Sequence, residues 1–182
     1  NGICTGGDFK INVTVNPPLN PNTIVSPVSC FEANDGSISI DIQGGIPPYS
    51  VLWTGPNNFT SKSENISNLK PGDYLLTITD NGGFPFTEKY TITEPQPISI
   101  TTLSEKDVSC FGAADASISI EIAGGNGGYK YLWNKNNEFF SLERNISNLS
   151  PGLYSVAVSD KNNCGPAQMS YEITQPDPLT IK

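Results

Sequence analysis

The side chains in this sequence that could do chemistry are few, and most of them recur. Cys4, Cys30, Cys110 and Cys164 stand in a chain with one methionine and no histidine. Without histidine the commonest general base, the commonest transition-metal ligand and any Ser-His or Cys-His nucleophile pair are missing. Paired carboxylates are the remaining route to hydrolysis, glycoside cleavage included. Asp41 and Glu121 hold equivalent outward positions, but on separate copies of an internal repeat, so they form no pair. No catalytic constellation emerges, and we expect no enzyme. Four cysteines without C-x-x-C spacing point to one or two disulfides of a secreted protein rather than to a zinc site.

Two other residue sets could bind something. Asp35, Asp80, Asp115 and Asp160 recur at turns and are candidate calcium ligands, since Ca²⁺ takes carboxylate and carbonyl oxygens. The competing reading is that each satisfies the backbone of its own turn, and it is favoured because no dense run of alternating aspartates is present. No other cofactor is expected. Aromatics could form a sugar-stacking platform. Tyr49, Trp53, Tyr129, Tyr131 and Trp133 are candidates, but the two tryptophans alternate with apolar residues and read as core. Phe59, Phe139 and Phe140 lie in a turn-rich stretch and are the better candidates for surface contact. The Asn-x-Ser/Thr patterns at Asn12, Asn58, Asn65 and Asn145 are weak in so Asn-rich a chain, and the last two read as turn residues.

What must position these residues is a duplication. Val28 to Asp80 reappears as Val108 to Asp160 without a gap, with 28 of 53 positions identical. A repeat of about eighty residues is too long for a solenoid turn and fits one small domain. Residues 1–18 read as the end strand of a preceding repeat, 19–97 and 98–178 as two full repeats, and 179–182 as the start of another. Within each repeat, short runs alternate apolar and polar residues: Ile38, Ile40 and Ile42, then Tyr49, Val51 and Trp53, then Tyr74, Leu76 and Ile78. Asn-Asp-Gly, Gly-Gly and Asn-Gly-Gly clusters punctuate them, and no segment has helical periodicity. The fold class that follows is all-β, with tandem immunoglobulin-like antiparallel sandwiches. The Leu-x-Pro-Gly-x-Tyr segments at Leu69–Tyr74 and Leu149–Tyr154 match a tyrosine corner, and the two tryptophans stand where such folds keep a core indole. Pro95-Gln96-Pro97 and Pro176-Asp177-Pro178 are stiff linkers, so the expected shape is a rod.

The repeat also frames the cysteine pairing. The favoured pairing joins Cys110 to Cys164 within the second repeat and leaves Cys30 alone, because Phe84 takes the hairpin position in the first repeat. The rival joins Cys4 to Cys30 and leaves Cys110 alone. In an ordinary immunoglobulin topology the first turn and last hairpin lie at opposite ends, so the favoured bond requires a modified first strand.

Composition narrows the partners. A net charge of −8 disfavours nucleic acid and a polybasic membrane contact. No apolar run is long enough to span a bilayer. No signal peptide is visible, which reads as a mature or excised segment.

The combination of Val28-Ser29-Cys30-Phe31, Asn34-Asp35-Gly36-Ser37-Ile38, Gly44-Gly45, Pro47-Pro48-Tyr49, Leu52-Trp53, Asn68-Leu69, Pro71-Gly72 and Tyr74, repeated through Val108-Ser109-Cys110-Phe111 and Asp160 to Cys164, resembles the SprB repeat family. That resemblance implies an extracellular, cell-surface protein of gliding bacteria, exported by type IX secretion. It implies a large filamentous adhesin used in gliding motility and surface attachment. Its implied partners are neighbouring repeats of the same chain and, through the parent protein, the motility and secretion machinery. Surface polysaccharide is a further candidate. The alternative function is a carbohydrate-binding accessory module of a secreted enzyme. Phe84, Ala116 and Gly127-Gly128 depart from the pattern and argue against a uniform set of disulfides.

Overall fold

A computed structural model describes residues 17–181. The strand expected around Phe9 to Val15, and Cys4 with the rest of the leading tail, lie outside the described residues. The first repeat forms β1 (Asn22–Ser26), β2 (Gly36–Asp41), β3 (Ser50–Gly55), β4 (Phe59–Ser61), β5 (Ile66–Leu69), β6 (Gly72–Thr79) and β7 (Pro85–Ile92). The second forms β8 (Ser99–Lys106), β9 (Ala116–Ala123), β10 (Lys130–Lys135), β11 (Glu138–Ser141), β12 (Ile146–Leu149), β13 (Gly152–Ser159) and β14 (Ala167–Ile173). Each repeat has a three-stranded and a four-stranded sheet in the same order, β1-β2-β5 with β4-β3-β6-β7 and β8-β9-β12 with β11-β10-β13-β14. The pairings of the second repeat are antiparallel. These are tandem immunoglobulin-like β-sandwiches.

The period-two pattern decides which residues form the core. In the second repeat, Ile118 and Ile120 of β9 and Ile146 and Leu149 of β12 meet Trp133, Tyr154, Val156, Val158, Tyr171 and Ile173 of the other sheet in one buried cluster. The first repeat buries the counterparts Ile38, Ile40, Trp53, Ile66, Leu69, Tyr74, Leu76 and Ile78. Each indole is fully enclosed and donates its N–H to a backbone carbonyl, Trp53 to Ser63 at 3.1 Å and Trp133 to Glu143 at 2.9 Å. A buried indole N–H left unpaired would be costly, so a fixed acceptor sets the ring's orientation as well as its depth. The tyrosine corner is formed: Tyr154 Oη donates to Ser150 O at 3.0 Å.

The short strand β5 and its counterpart β12 were not expected. Only their end residues are buried, and Asn68 and Asn148 take positive φ within them, so no alternation marks them in sequence. The described chain divides into two compact units that do not follow the repeats. One holds residues 17–25, Ile38–Ile66 and Asp73–Thr91. The other holds Ser26–Ser37, Ser67–Gly72 and residues 92–181. The second unit therefore takes in the Ser26–Ser37 loop of the first repeat.

Candidate functional site

The densest polar site lies in this second unit, where the β13–β14 hairpin, the loop after β9 and the Ser29-Cys30 segment meet. Asp160 is fully buried. Its carboxylate accepts the N–H groups of Asn126 at 2.8 Å, Asn162 at 2.9 Å and Cys164 at 3.0 Å, and also Asn126 Nδ2 at 2.8 Å. Burial pushes the Asp160 carboxyl up, but the hydrogen bonds from Asn126, Cys164 and Asn162 outweigh it and hold the group below its ordinary 3.8. A carboxylate at this position ties three loop positions to one point.

That anchored hairpin holds the Ser29-Cys30 segment. Asn126 Nδ2 donates to Ser29 O at 2.9 Å, and Asn162 Nδ2 reaches the same carbonyl at 3.4 Å. Beside them Cys30 and Cys164 form a disulfide with Cα atoms 5.5 Å apart. This overturns the expected Cys110–Cys164 bond and also the Cys4–Cys30 alternative, since the Cys30 sulfur is taken. The reason is the length of β14. Val108 N donates to Thr174 O and Gly112 N to Gln175 Oε1, so the Cys110 loop lies at the far end of that strand. Cys164 precedes the strand's start, and seven extended residues separate the two ends by roughly 20 Å. A disulfide cannot reach across that distance. Cys110 is an exposed free thiol.

The linker entering each repeat is gripped by the Gly-Gly loop of that repeat. Gly125 N donates to Gln96 O at 2.7 Å, and Gly45 N to Pro17 O at 2.8 Å. A Cβ on Gly124 would sit 2.0 Å from Pro97 O, and on Gly44 2.1 Å from Pro18 O, and both glycines have positive φ. Tyr129 Oη closes its loop by donating to Gly124 O at 2.6 Å, as Tyr49 Oη does to Gly44 O at 2.7 Å. Sequence reasoning missed this grip, although its signal was present: Gly-Gly followed by Tyr at the same spacing occurs in both copies. Asn126 was missed because Ile46 stands at its position in the first repeat.

The other candidates are accounted for by local structure. Asp35 Oδ1 accepts Ser29 N at 2.9 Å, and Asp115 Oδ1 accepts Ser109 N at the same distance. Bonds from the Ser29 hydroxyl and N–H lower the Asp35 pKa, and those from the Ser109 N–H and hydroxyl lower that of Asp115. Asp80 accepts the N–H groups of Ile46, Gly82 and Phe84. The four aspartates are therefore engaged by their own turns, and among the described residues no three His, Cys, Asp or Glu side chains converge as a metal site. Phe59 packs edge-on against Tyr74, and Phe140 edge-on against Tyr154. An irregularity in the β10–β11 register turns Phe140 rather than Phe139 to that tyrosine. Phe139 is left 65% exposed, so one of the three aromatics stands clear of the surface. No helix among the described residues is long and apolar enough to cross a membrane.

Comparison with known proteins gives one family. The SprB repeat model matches residues 22–58 and 102–138, each match running from the first strand of a repeat past its tryptophan. No curated protein sequence matches the chain. Similar solved structures include a chain from a study of Dscam isoform specificity, 16% identical over 89% of this chain with TM-score 0.38. This chain spans 47% of that one, about half its length. The amphioxus IgVJ-C2 molecule is 14% identical over 81% of this chain and 100% of its own, with TM-score 0.42. A C-terminal intimin fragment in complex with the intimin-binding domain of its receptor is 14% identical over 90% of this chain and 65% of its own, with TM-score 0.40. At such TM-scores these are likenesses only. Two matches at the same spacing as the duplication, one in each repeat, support the SprB repeat family.

Proposed function

We propose that this chain is a load-bearing segment of a secreted, cell-surface adhesin filament, of the kind that serves gliding motility and surface attachment. The observation that carries the reading is the Cys30–Cys164 disulfide, which bypasses 134 residues of backbone. Tension applied along the chain enters at Cys30 and leaves at Cys164. Of the described strands only β1 and β14 lie on the loaded path, and the twelve between them lie inside the covalent loop. A bond placed this way shields the strands inside the loop from the pull. The gripped Pro linkers and the two matches to the SprB repeat model support the same reading. So does the run of whole repeats in series, since such a chain can lengthen without changing its units.

Export through type IX secretion and engagement with the motility machinery belong to the parent protein and are part of this proposal. The test at the level of function is retention of the labelled chain on immobilised polysaccharides under flow. A load-bearing segment passes without retention. Retention on one polysaccharide, abolished by Phe139→Ala, would instead make these repeats the contact surface.

A further inference from the structure

We propose that the Cys110 loop is a docking surface for a further repeat of this same kind, one that carries a cysteine at the hairpin position of Cys164, and that the two become disulfide-bonded. This rests on the reading of the chain as repeats bearing load in series, and it names the partner of each exposed loop.

The template is inside the molecule. In the first repeat the Ser29-Cys30 segment is already bonded to such a hairpin, through the disulfide and through Ser29 O. The second repeat presents the same segment in the same shape, with no hairpin attached among the described residues. Val28 N donates to Thr93 O, and Val108 N to Thr174 O. Ala33 N donates to Cys30 O at 3.1 Å, and Ala113 N to Cys110 O at 3.0 Å. Glu32 N donates to Glu94 Oε2 and Gly112 N to Gln175 Oε1, both at 3.0 Å. The linkers correspond as well, Pro176-Asp177-Pro178-Leu179 following Gln175 as Pro95-Gln96-Pro97-Ile98 follows Glu94.

The surfaces differ only in cover. Around Cys30 the cavity wall is completed by Cys164, Gly165 and Pro166 of the hairpin. Around Cys110 the corresponding hollow, about 470 Å³, is lined by Phe111, Pro176, Pro178 and Leu179 and has no hairpin over it. Phe111 is 56% exposed. An apolar, preformed hollow with a free thiol at its edge fits one occupant whose chemistry is already on the page, the Asp-anchored hairpin with its cysteine.

Bond formation is an oxidation. Each thiol gives up one proton and one electron as the S–S bond forms. An external disulfide such as oxidised glutathione accepts them and is cleaved to two thiols, with a mixed disulfide between.

The test extends the chain in register by repeating residues 102–182 after Lys182, with Cys4→Ser and, in the appended copy, Cys110→Ser to remove the remaining thiols and Met169→Leu to give its cysteine peptide a distinct mass. The extended chain is refolded in a glutathione buffer, alkylated with iodoacetamide and mapped by non-reducing peptide mass spectrometry. The expected result is that Cys110 loses its reactivity and is recovered crosslinked to the appended copy of Cys164, while Cys30 stays bonded to the original Cys164. Limited proteolysis reports separately on whether the appended repeat folds. A protease-resistant appended repeat with Cys110 still alkylated overturns this inference and leaves the series reading standing. So does a Cys110–Cys110 bond between two chains. An appended repeat that is digested overturns both.

Discussion

Cys30 and Cys164 are bonded although 134 residues separate them, while Cys110 and Cys164, much nearer in sequence, lie at opposite ends of β14. Proximity in the chain misleads here because an antiparallel strand carries its two ends apart, and the first turn of one repeat meets the last hairpin of the following one. Closing so long a loop restricts the unfolded chain strongly. Replacing both cysteines by serine, Cys30→Ser with Cys164→Ser, is expected to cost about 5 kcal/mol by loop-closure entropy. Urea unfolding of the oxidised and variant chains measures it. Equal midpoints would show that the bond restrains nothing.

The linker grip is tested at Gly124. Alanine there meets Pro97 O and is forced into positive φ. Left-handed strain alone costs about 1–2 kcal/mol, and the clash adds to it. Gly124→Ala should lower the unfolding midpoint, whereas Gly112→Ala, at an open position of similar φ, should show the strain without the clash.

Tyr154 separates its ring from its hydroxyl. Tyr154→Phe keeps the buried ring and removes the bond to Ser150 O. A loss of about 1 kcal/mol in denaturant unfolding is expected, typical for one hydrogen bond. No change would mean the corner is held by packing alone.

Acid should weaken the fold through Asp35, Asp115 and Asp160. Their carboxyls titrate below 3.8 when folded, so each contributes stability above that pH and loses it as the pH falls through the lower folded value. Unfolding midpoints compared at neutral pH and at pH near 3 should show the loss. Asp160→Asn should flatten the dependence. Calcium and EDTA should leave the midpoint unchanged, because the turn N–H groups already occupy these oxygens. A calcium-dependent rise would restore the aspartates as ligands.

The core was legible because apolar alternation is a direct record of which face is buried. Ile118, Ile120, Trp133, Tyr154 and Val156 could be read off in order. The tyrosine corner was legible from its Pro-Gly spacing. The disulfide was not, because pairing depends on where strand ends lie in space, and the sequence shows only their order. Nor was the role of Asp160 fully legible. Its turn function was expected, but its tie to Asn126 depends on one position where the two repeats differ. Which of Phe139 and Phe140 packs on Tyr154 was not legible, because a single register irregularity between β10 and β11 decides it, and both remain exposed.

The measurement that bears most directly on load-bearing is single-molecule stretching of the chain from its two ends, with and without reductant. In the oxidised chain the loop between Cys30 and Cys164 stays hidden from the pull. Reduction should release it and lengthen the fully stretched contour by roughly 440–480 Å, at about 3.3–3.6 Å for each of the 134 residues bypassed. The Cys30→Ser, Cys164→Ser chain should show the longer contour under both conditions. Equal contours for the oxidised and reduced chains would contradict the account, since the disulfide would then carry no load.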